Sequence, residues 1–262
     1  MLGKLMKYDL KSVFKVLIIF YILGIIFAVL TRIFLNIDNS LMFYIIGKIC
    51  SGVTIGMIFN IIINNIFRMW ARFRRNLYSD EAYLTYTLPV EKSQLYLSKF
   101  LTSIITMISS ILVIAFIIFI AYYSKYNITL LKTSLFRIST AYNIKIYRFI
   151  ITTFIVFFLE IATIIQVGFN GIILGYRATS NKIIHSVIIG FISYTISQII
   201  CLLFIYVVAF FDNNLMNLFV SNNVGFETVQ LVIYLAILVY SLIIGGYYII
   251  NNKIFCKGVN IE

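Results

Sequence analysis

Six long apolar segments, interrupted by one basic stretch at Arg68–Lys99, constrain this chain more than any other feature. The hydrocarbon core of a bilayer is about 30 Å thick, and about 20 helical residues are needed to cross it. Each apolar segment meets that length, and the sequence therefore predicts an all-α integral membrane protein with six transmembrane helices. The predicted spans are Phe14–Leu35, Leu41–Phe67, Phe100–Tyr123, Phe149–Tyr176, Ile183–Phe211 and Val229–Ile250.

The composition agrees with a membrane protein. Hydrophobic residues make up 62% of the chain and charged residues 11%, against about 25% charged residues in soluble domains. The chain shows no Pro/Gly/Ser-rich linker, which predicts a single transmembrane domain over residues 1–262. The net charge of +12 would suggest nucleic acid in a soluble protein. In a membrane protein it reflects the preference of Lys and Arg for cytoplasmic loops, so membrane lipids are expected as partners and nucleic acid is not.

The distribution of basic residues predicts that both termini are cytoplasmic in a multi-pass protein of the cell membrane. Most Lys and Arg residues fall in the N-terminal segment, in Arg68–Lys99 and in the C-terminal tail. The loop Ser124–Arg148 is an exception, because it is basic but would lie outside. Its structure, and its side of the membrane, stay open at this point.

The motifs of self-contained enzymes are missing from the sequence. It contains no GxxxxGK[ST] loop, no HExxH and no GxSxG, and its one histidine is His185. Cys50, Cys201 and Cys256 are isolated, which favours neither a metal site nor a redox site. We therefore expect no catalytic, cofactor-binding or metal-binding residues, and an energy source on another chain or in an ion gradient.

The basic stretch Arg68–Lys99 divides into three parts. Arg68–Arg75 mixes bases with aromatic residues, which suits the headgroup layer. Ser79 is expected to cap a short helix, with Asp80 and Glu81 at its positive N-terminal end. Pro89, the only proline, is expected to end that helix and to begin the next one.

One part of this stretch resembles a known family. SDEAYLTYTLPVEKSQLYLSKFL, residues 79–101, is similar to the segment after the second span in small ABC-2-type permeases of Gram-positive bacteria, and KLMKYDLK before the first span also looks like that family. Position 82 is Ala, where the family often has Gly. The resemblance implies a permease subunit of an ATP-driven ABC exporter. It would pair with a second permease subunit, the same or related, and with two separate ABC ATPase subunits that bind the ATP.

The same resemblance implies a function for the loop between the second and third spans. In the family this loop is cytoplasmic and carries the coupling helix that docks on the ATPase. Tyr83, Leu84 and Tyr86 are the expected anchors, and Pro89 would set the angle between the docked helix and the third span. An ordinary amphipathic connector is the alternative. The expected ATPase-coupling residues are Asp80, Glu81, Tyr83, Leu84, Thr85, Tyr86, Leu88 and Pro89.

Glu160, near the middle of the fourth span, is a candidate for the substrate pathway. A carboxylate within the membrane is costly unless it is paired, protonated or hydrated, and often has a function. The alternative is a structural hydrogen bond or an ion pair within the bundle, for which Lys48 is a candidate partner.

Two GxxxG pairs predict close helix packing, because small residues let membrane helices approach each other. They are Gly52 with Gly56 in the second span, and Gly171 with Gly175 in the fourth. The linker Asp212–Thr228 is expected to be either a plain loop or a short helix at the outer surface, and the family would place re-entrant or interfacial helices there.

The substrates implied by the resemblance are amphipathic peptides, antimicrobial compounds or lipids, and the protein would contribute to antimicrobial peptide resistance. The competing functions are a secondary transporter, an intramembrane enzyme, and a membrane sensor or scaffold without an ATPase partner. Glu160 alone, without an internal repeat, gives a carrier little support.

The topology can be tested by cysteine-accessibility labelling. A cysteine introduced at Asp80 should be inaccessible to a membrane-impermeant reagent applied from outside, because the charge distribution places this loop in the cytoplasm. A cysteine at Leu135 should be labelled from outside. External labelling at position 80 would contradict the proposed orientation.

Overall fold

The fold of the described chain is entirely helical. The structure is a computed structural model that describes residues 2–37, 40–142, 145–212, 215–216 and 226–258. No strand occurs within these ranges. The helices are α1 (Leu2–Leu35), α2 (Leu41–Tyr78), α3 (Ala82–Tyr86), α4 (Lys92–Tyr122), α5 (Lys125–Tyr142), α6 (Ile146–Gly175), α7 (Lys182–Ala209) and α8 (Phe226–Cys256). Six of them, α1, α2, α4, α6, α7 and α8, are long and apolar enough to cross a membrane, and the all-α membrane fold is confirmed.

The chain divides into two compact units, Met1–Leu130 and Leu131–Glu262. In the first unit, α1 packs against α2 and α4, α2 also packs against α4, and the short α3 lies against α2. In the second unit, α6 packs against both α7 and α8, and α7 also contacts α8.

Hydroxyl and amide pairs connect the three long helices of the first unit. The Thr31 hydroxyl of α1 lies 3.0 Å from that of Thr54 of α2, and Tyr21 of α1 lies 2.8 Å from Ser110 of α4. Asn65 of α2 donates to Ser110 at 2.6 Å. Polar groups without water need internal partners, so these bonds fix how the helices face one another.

The helices extend beyond the predicted spans. α1 begins at Leu2, and α2 continues without a break from the apolar run through Arg68–Arg75 to Tyr78. The basic residues Arg68–Arg75 therefore lie on a rigid extension of α2. A helix is the natural outcome, because no glycine or proline interrupts this stretch.

The helix boundaries near Pro89 differ from those predicted. Ser79 ends α2, while Glu81 occupies the position before α3 and makes no side-chain cap. α4 begins at Lys92 rather than at Pro89, because the carbonyl of Glu91 accepts the first helical bond, from the backbone N–H of Leu95 at 3.1 Å.

The loop Ser124–Arg148 contains a helix that the sequence did not predict. α5 starts at Lys125, where the Ser124 hydroxyl accepts a bond from the backbone N–H of Asn127 at 3.1 Å, as helix-capping serines do. Much of its surface is exposed. The predicted loop or interfacial helix over Asp212–Thr228 lies mostly outside the described residues.

The two GxxxG pairs have different environments. A Cβ atom at Gly171 would lie 2.5 Å from the carbonyl oxygen of Ser186 and 2.8 Å from the Cα of Gly190, and one at Gly175 would overlap the backbone of Ser186. α6 and α7 can approach this closely only because both positions are glycine. At Gly52 and Gly56, no described atom beyond the backbone of α2 itself and the adjacent residues lies within 4 Å of the added Cβ.

This contrast provides an internally controlled test. Gly171→Ala and Gly175→Ala should each force α7 away from α6 and cost about 1–3 kcal/mol of stability, the range for overpacked sites. Gly52→Ala and Gly56→Ala should be neutral or slightly stabilising, because alanine favours the helix. Thermal unfolding of the detergent-solubilised protein measures both effects. Equal losses at all four positions would contradict this account of the packing.

Candidate functional site

A buried group of charges joins three helix ends in the first unit. Asp9 of α1 is 4% exposed and Lys99 of α4 is 3% exposed. The ammonium of Lys99 lies 2.6 Å and 2.7 Å from the two carboxylate oxygens of Asp9, and Nε of Arg72 on α2 lies 3.2 Å from one of them. A single carboxylate thus holds α1, α2 and α4 together.

The network continues to the beginning of α3 through Glu81. Arg72 donates from Nη1 to the Glu81 carboxylate at 2.7 Å, and Asn76 donates to the same oxygen at 3.0 Å. Lys99 also bonds to the side-chain carbonyl of Asn76. We call Asp9, Arg72, Asn76, Glu81 and Lys99 the Asp9 cluster. Its two acids and two bases balance in charge, and Arg72 bridges both acids.

The cluster lies at the boundary between charged and apolar sequence on all three long helices. Helix ends that combine a charged face with an adjacent apolar run are suited to the interfacial layer of a membrane. The Asp9 cluster therefore marks one membrane face of the first unit. The apolar run of α1 begins at Phe14, that of α2 ends at Phe67, and that of α4 begins at Phe100.

Asp9 and Lys99 each need the other as a counter-ion, because both charges are buried. Burying two ions costs several kcal/mol each, and their attraction offsets this only when hydrogen bonds are well formed. Asp9 has three donors, since the hydroxyl of Ser98 lies 3.4 Å from its second oxygen, in addition to Lys99 and Arg72. Removal of one partner would leave an uncompensated buried charge.

α3 has one face packed against the protein and one face exposed. Ala82 and Thr85, which are three residues apart and so share a side of the helix, are buried. Tyr83 is 62% and Leu84 is 75% exposed. Exposed apolar side chains next to such a charged stretch are typical of an interaction surface.

Tyr86 does not belong to that exposed face. Its hydroxyl donates to the backbone carbonyl of Leu77 at 3.2 Å, which attaches the end of α3 to α2. Burial raises the pKa of the Tyr86 hydroxyl above its usual value, so the hydroxyl remains a hydrogen-bond donor at neutral pH.

The expected coupling residues therefore separate into two groups. Glu81, Thr85 and Tyr86 turn toward the protein, and Glu81 in particular binds Arg72 instead of facing a partner. The surface group consists of Asp80, Tyr83, Leu84, Leu88 and Pro89.

Glu160 lies half-buried on α6 and faces the other helices of its own unit. Its carboxylate lies close enough to Tyr194 of α7 and to Tyr240 of α8 to interact electrostatically with both. Tyr240 in turn donates to Gln198 at 3.3 Å. Lys48, in the first unit, lies over the ring of Tyr44, with its ammonium 5.4 Å from the ring centroid.

Sequence reasoning missed the Asp9 cluster as a site. It treated Arg72 and Lys99 as charges that determine topology, and it noted Asp9 only within the KLMKYDLK resemblance. One signal was present: Asp9 is the only acid before or within the first span. A lone carboxylate among lysines, so close to an apolar run, indicates a specific cationic partner.

Comparison with protein-family models, with curated proteins and with solved structures finds no match. Within the part of the chain that the structure describes, no group of three or more His, Cys, Asp or Glu side chains could hold a metal ion. Support for a function therefore comes from the Asp9 cluster and from the exposed face of α3.

The cluster can be tested by thermal unfolding. Asp9→Asn should destabilise the protein by about 3–5 kcal/mol, because the ammonium of Lys99 loses its counter-ion in a buried site. Adding Lys99→Met should recover part of that loss, since the unpaired buried charge is then gone. Asp80→Asn, an exposed acid nearby, should have little effect. A double variant less stable than Asp9→Asn alone would contradict the pairing.

Proposed function

We propose that this chain is the membrane-spanning permease subunit of an ATP-driven exporter and that separate ABC ATPase chains hydrolyse the ATP. The observation that supports this most directly is the two-sided character of α3. One side presents Tyr83 and Leu84 outward, and the residue before α3, Glu81, is ion-paired through Arg72 to the long helices. The resemblance of residues 79–101 to ABC-2-type permeases supports the same function.

A coupling helix has to transmit motion as well as bind a partner. Glu81 bonds to Arg72, Arg72 to Asp9, and Asp9 to Lys99. Hydrogen bonds between ionised groups are short and about twice as strong as neutral ones. Displacement of α3 by an ATPase would therefore be passed to α1, α2 and α4 together rather than absorbed in the loop.

In this proposal α3 and both termini are cytoplasmic, and the protein lies in the cell membrane. Two permease subunits, the same or related, pair with two ATPases, and ATP-driven closure of the ATPases opens an outward path. Amphipathic peptides, antimicrobial compounds and lipid-like molecules are the proposed substrates. Glu160, which faces α7 and α8, is the candidate pathway residue.

A membrane sensor or scaffold is the second candidate, because the exposed face of α3 would suit any docked protein. The chain of ion pairs behind α3 favours the exporter, since a scaffold has no need to transmit force into its spans. ATP hydrolysis that requires both this chain and a co-expressed ATPase distinguishes the two functions.

The docking surface is tested by Tyr83→Ala combined with Leu84→Ala. Aromatic and apolar anchors of an interface are worth about 2 kcal/mol or more each, so the loss of both, about 4 kcal/mol when the effects add, should weaken ATPase binding by about 700-fold. Co-purification and a titration of the ATPase measure this loss. Insertion and thermal stability of the permease should be unchanged, because both side chains are exposed.

A matched control is available on α5, where Tyr126→Ala with Leu131→Ala removes a similarly exposed pair and should leave ATPase binding intact. Glu81→Gln is the companion variant for transmission. It should retain ATPase binding but separate hydrolysis from transport, since the link to Arg72 is weakened. Full coupling in the Tyr83/Leu84 variant, or an ATPase bound elsewhere on this chain, would contradict the proposal.

A further inference from the structure

A cavity of about 410 Å³ lies in the first unit beside the Asp9 cluster. Lys4 and Tyr8 of α1 and Arg72 of α2 provide polar groups to its lining. Leu5, Leu88 and Leu95 provide apolar ones. The cavity thus combines charged and apolar walls, which a purely structural ion pair does not require.

The cationic groups of this cavity are only partly used by the protein. The ammonium of Lys99 donates hydrogen bonds to Asp9 and Asn76. Arg72 donates from Nε to Asp9 and from Nη1 to Glu81. The Nη2 nitrogen of Arg72 makes no hydrogen bond to the described residues, and the ammonium of Lys4 forms no ion pair with them. The Asp9 cluster is balanced in charge, so the ammonium of Lys4 gives the cavity a net positive charge.

The position of the cavity indicates the kind of anion. The apolar runs of α1, α2 and α4 all begin or end close to Asp9, Arg72 and Lys99, so the cavity lies at the polar–apolar boundary of one membrane face. Basic pockets between membrane helices at that level are suited to lipid headgroups. A soluble anion would gain nothing from Leu5 and Leu95, whereas a lipid places its glycerol and acyl carbons there.

We propose that this cavity binds the phosphate headgroup of an anionic phospholipid, with Lys4 and Arg72 contacting the phosphate. The proposal rests on the membrane-spanning helices of the first unit and does not depend on an ATPase partner. A bound lipid would contact Leu88, in the segment that joins α3 to α4, and would stabilise that connection.

The test compares two lysines on the same helix. Lys4 lines the cavity and Lys7 does not, yet both are exposed, so neither variant endangers folding. Unfolding temperatures are measured in nanodiscs of phosphatidylcholine with increasing phosphatidylglycerol. For the unaltered protein the temperature should rise and then saturate. Lys4→Gln should move half-saturation to about fivefold more phosphatidylglycerol, whereas Lys7→Gln should leave it nearly unchanged.

Three outcomes would overturn the proposal. Equal effects of Lys4→Gln and Lys7→Gln would mean that general surface charge, not the cavity, attracts the lipid. The same stabilisation by millimolar glycerol 3-phosphate or inorganic phosphate in phosphatidylcholine discs would assign the cavity to a soluble phosphate. No stabilisation by phosphatidylglycerol, even where added ATPase stabilises the protein, would show that the cavity does not bind an anionic lipid.

Discussion

The carboxylate of Asp9 is the point on which the first unit depends. It is buried, and Lys99 and Arg72 approach it from two other helices as its ionic partners. Because the loss of any one partner leaves a buried charge without compensation, the ends of α1, α2 and α4 are held in a fixed arrangement. The bonds of Glu81 and Asn76 to this group extend the same constraint to α3.

The two units are stabilised by different physical means. The first combines ion pairs at one membrane face with hydrogen bonds between hydroxyl and amide side chains inside the spans. The second depends on the close approach of α6 and α7 at Gly171 and Gly175. Side-chain hydrogen bonds support this packing, such as the one that the Asn170 amide donates to the Ser193 hydroxyl at 2.9 Å. Both solutions replace the hydrophobic driving force, which hardly acts between helices already surrounded by lipid.

The stretch from Glu81 to Pro89 takes part in both proposed interactions, with an ATPase and with a lipid headgroup. Its exposed residues, Tyr83 and Leu84, suit a docked ATPase, while Leu88 borders the cavity proposed for a lipid headgroup. A lipid and an ATPase would then contact the same short segment. If both proposals hold, the two contacts would act on the Asp9 cluster, which would be the common point for energy input and for the response to the membrane.

The sequence by itself determined the six membrane helices and the position of the short helix before Pro89. Those features depend on the length of the apolar runs, on local residue type and on the thickness of a bilayer, so they can be inferred without knowing which helices pack together. The sequence could not separate the pair Gly52 and Gly56 from the pair Gly171 and Gly175, because the motif is the same and only the neighbouring helix differs.

The tertiary structure alone decided which charges become a site. Asp9, Arg72 and Lys99 are far apart in the chain, and each is an ordinary interfacial charge when its own helix is considered alone. Packing of three helices removes water from between them, and only then does their attraction become strong. The direction of Glu81, inward to Arg72 rather than outward to a partner, was decided in the same way.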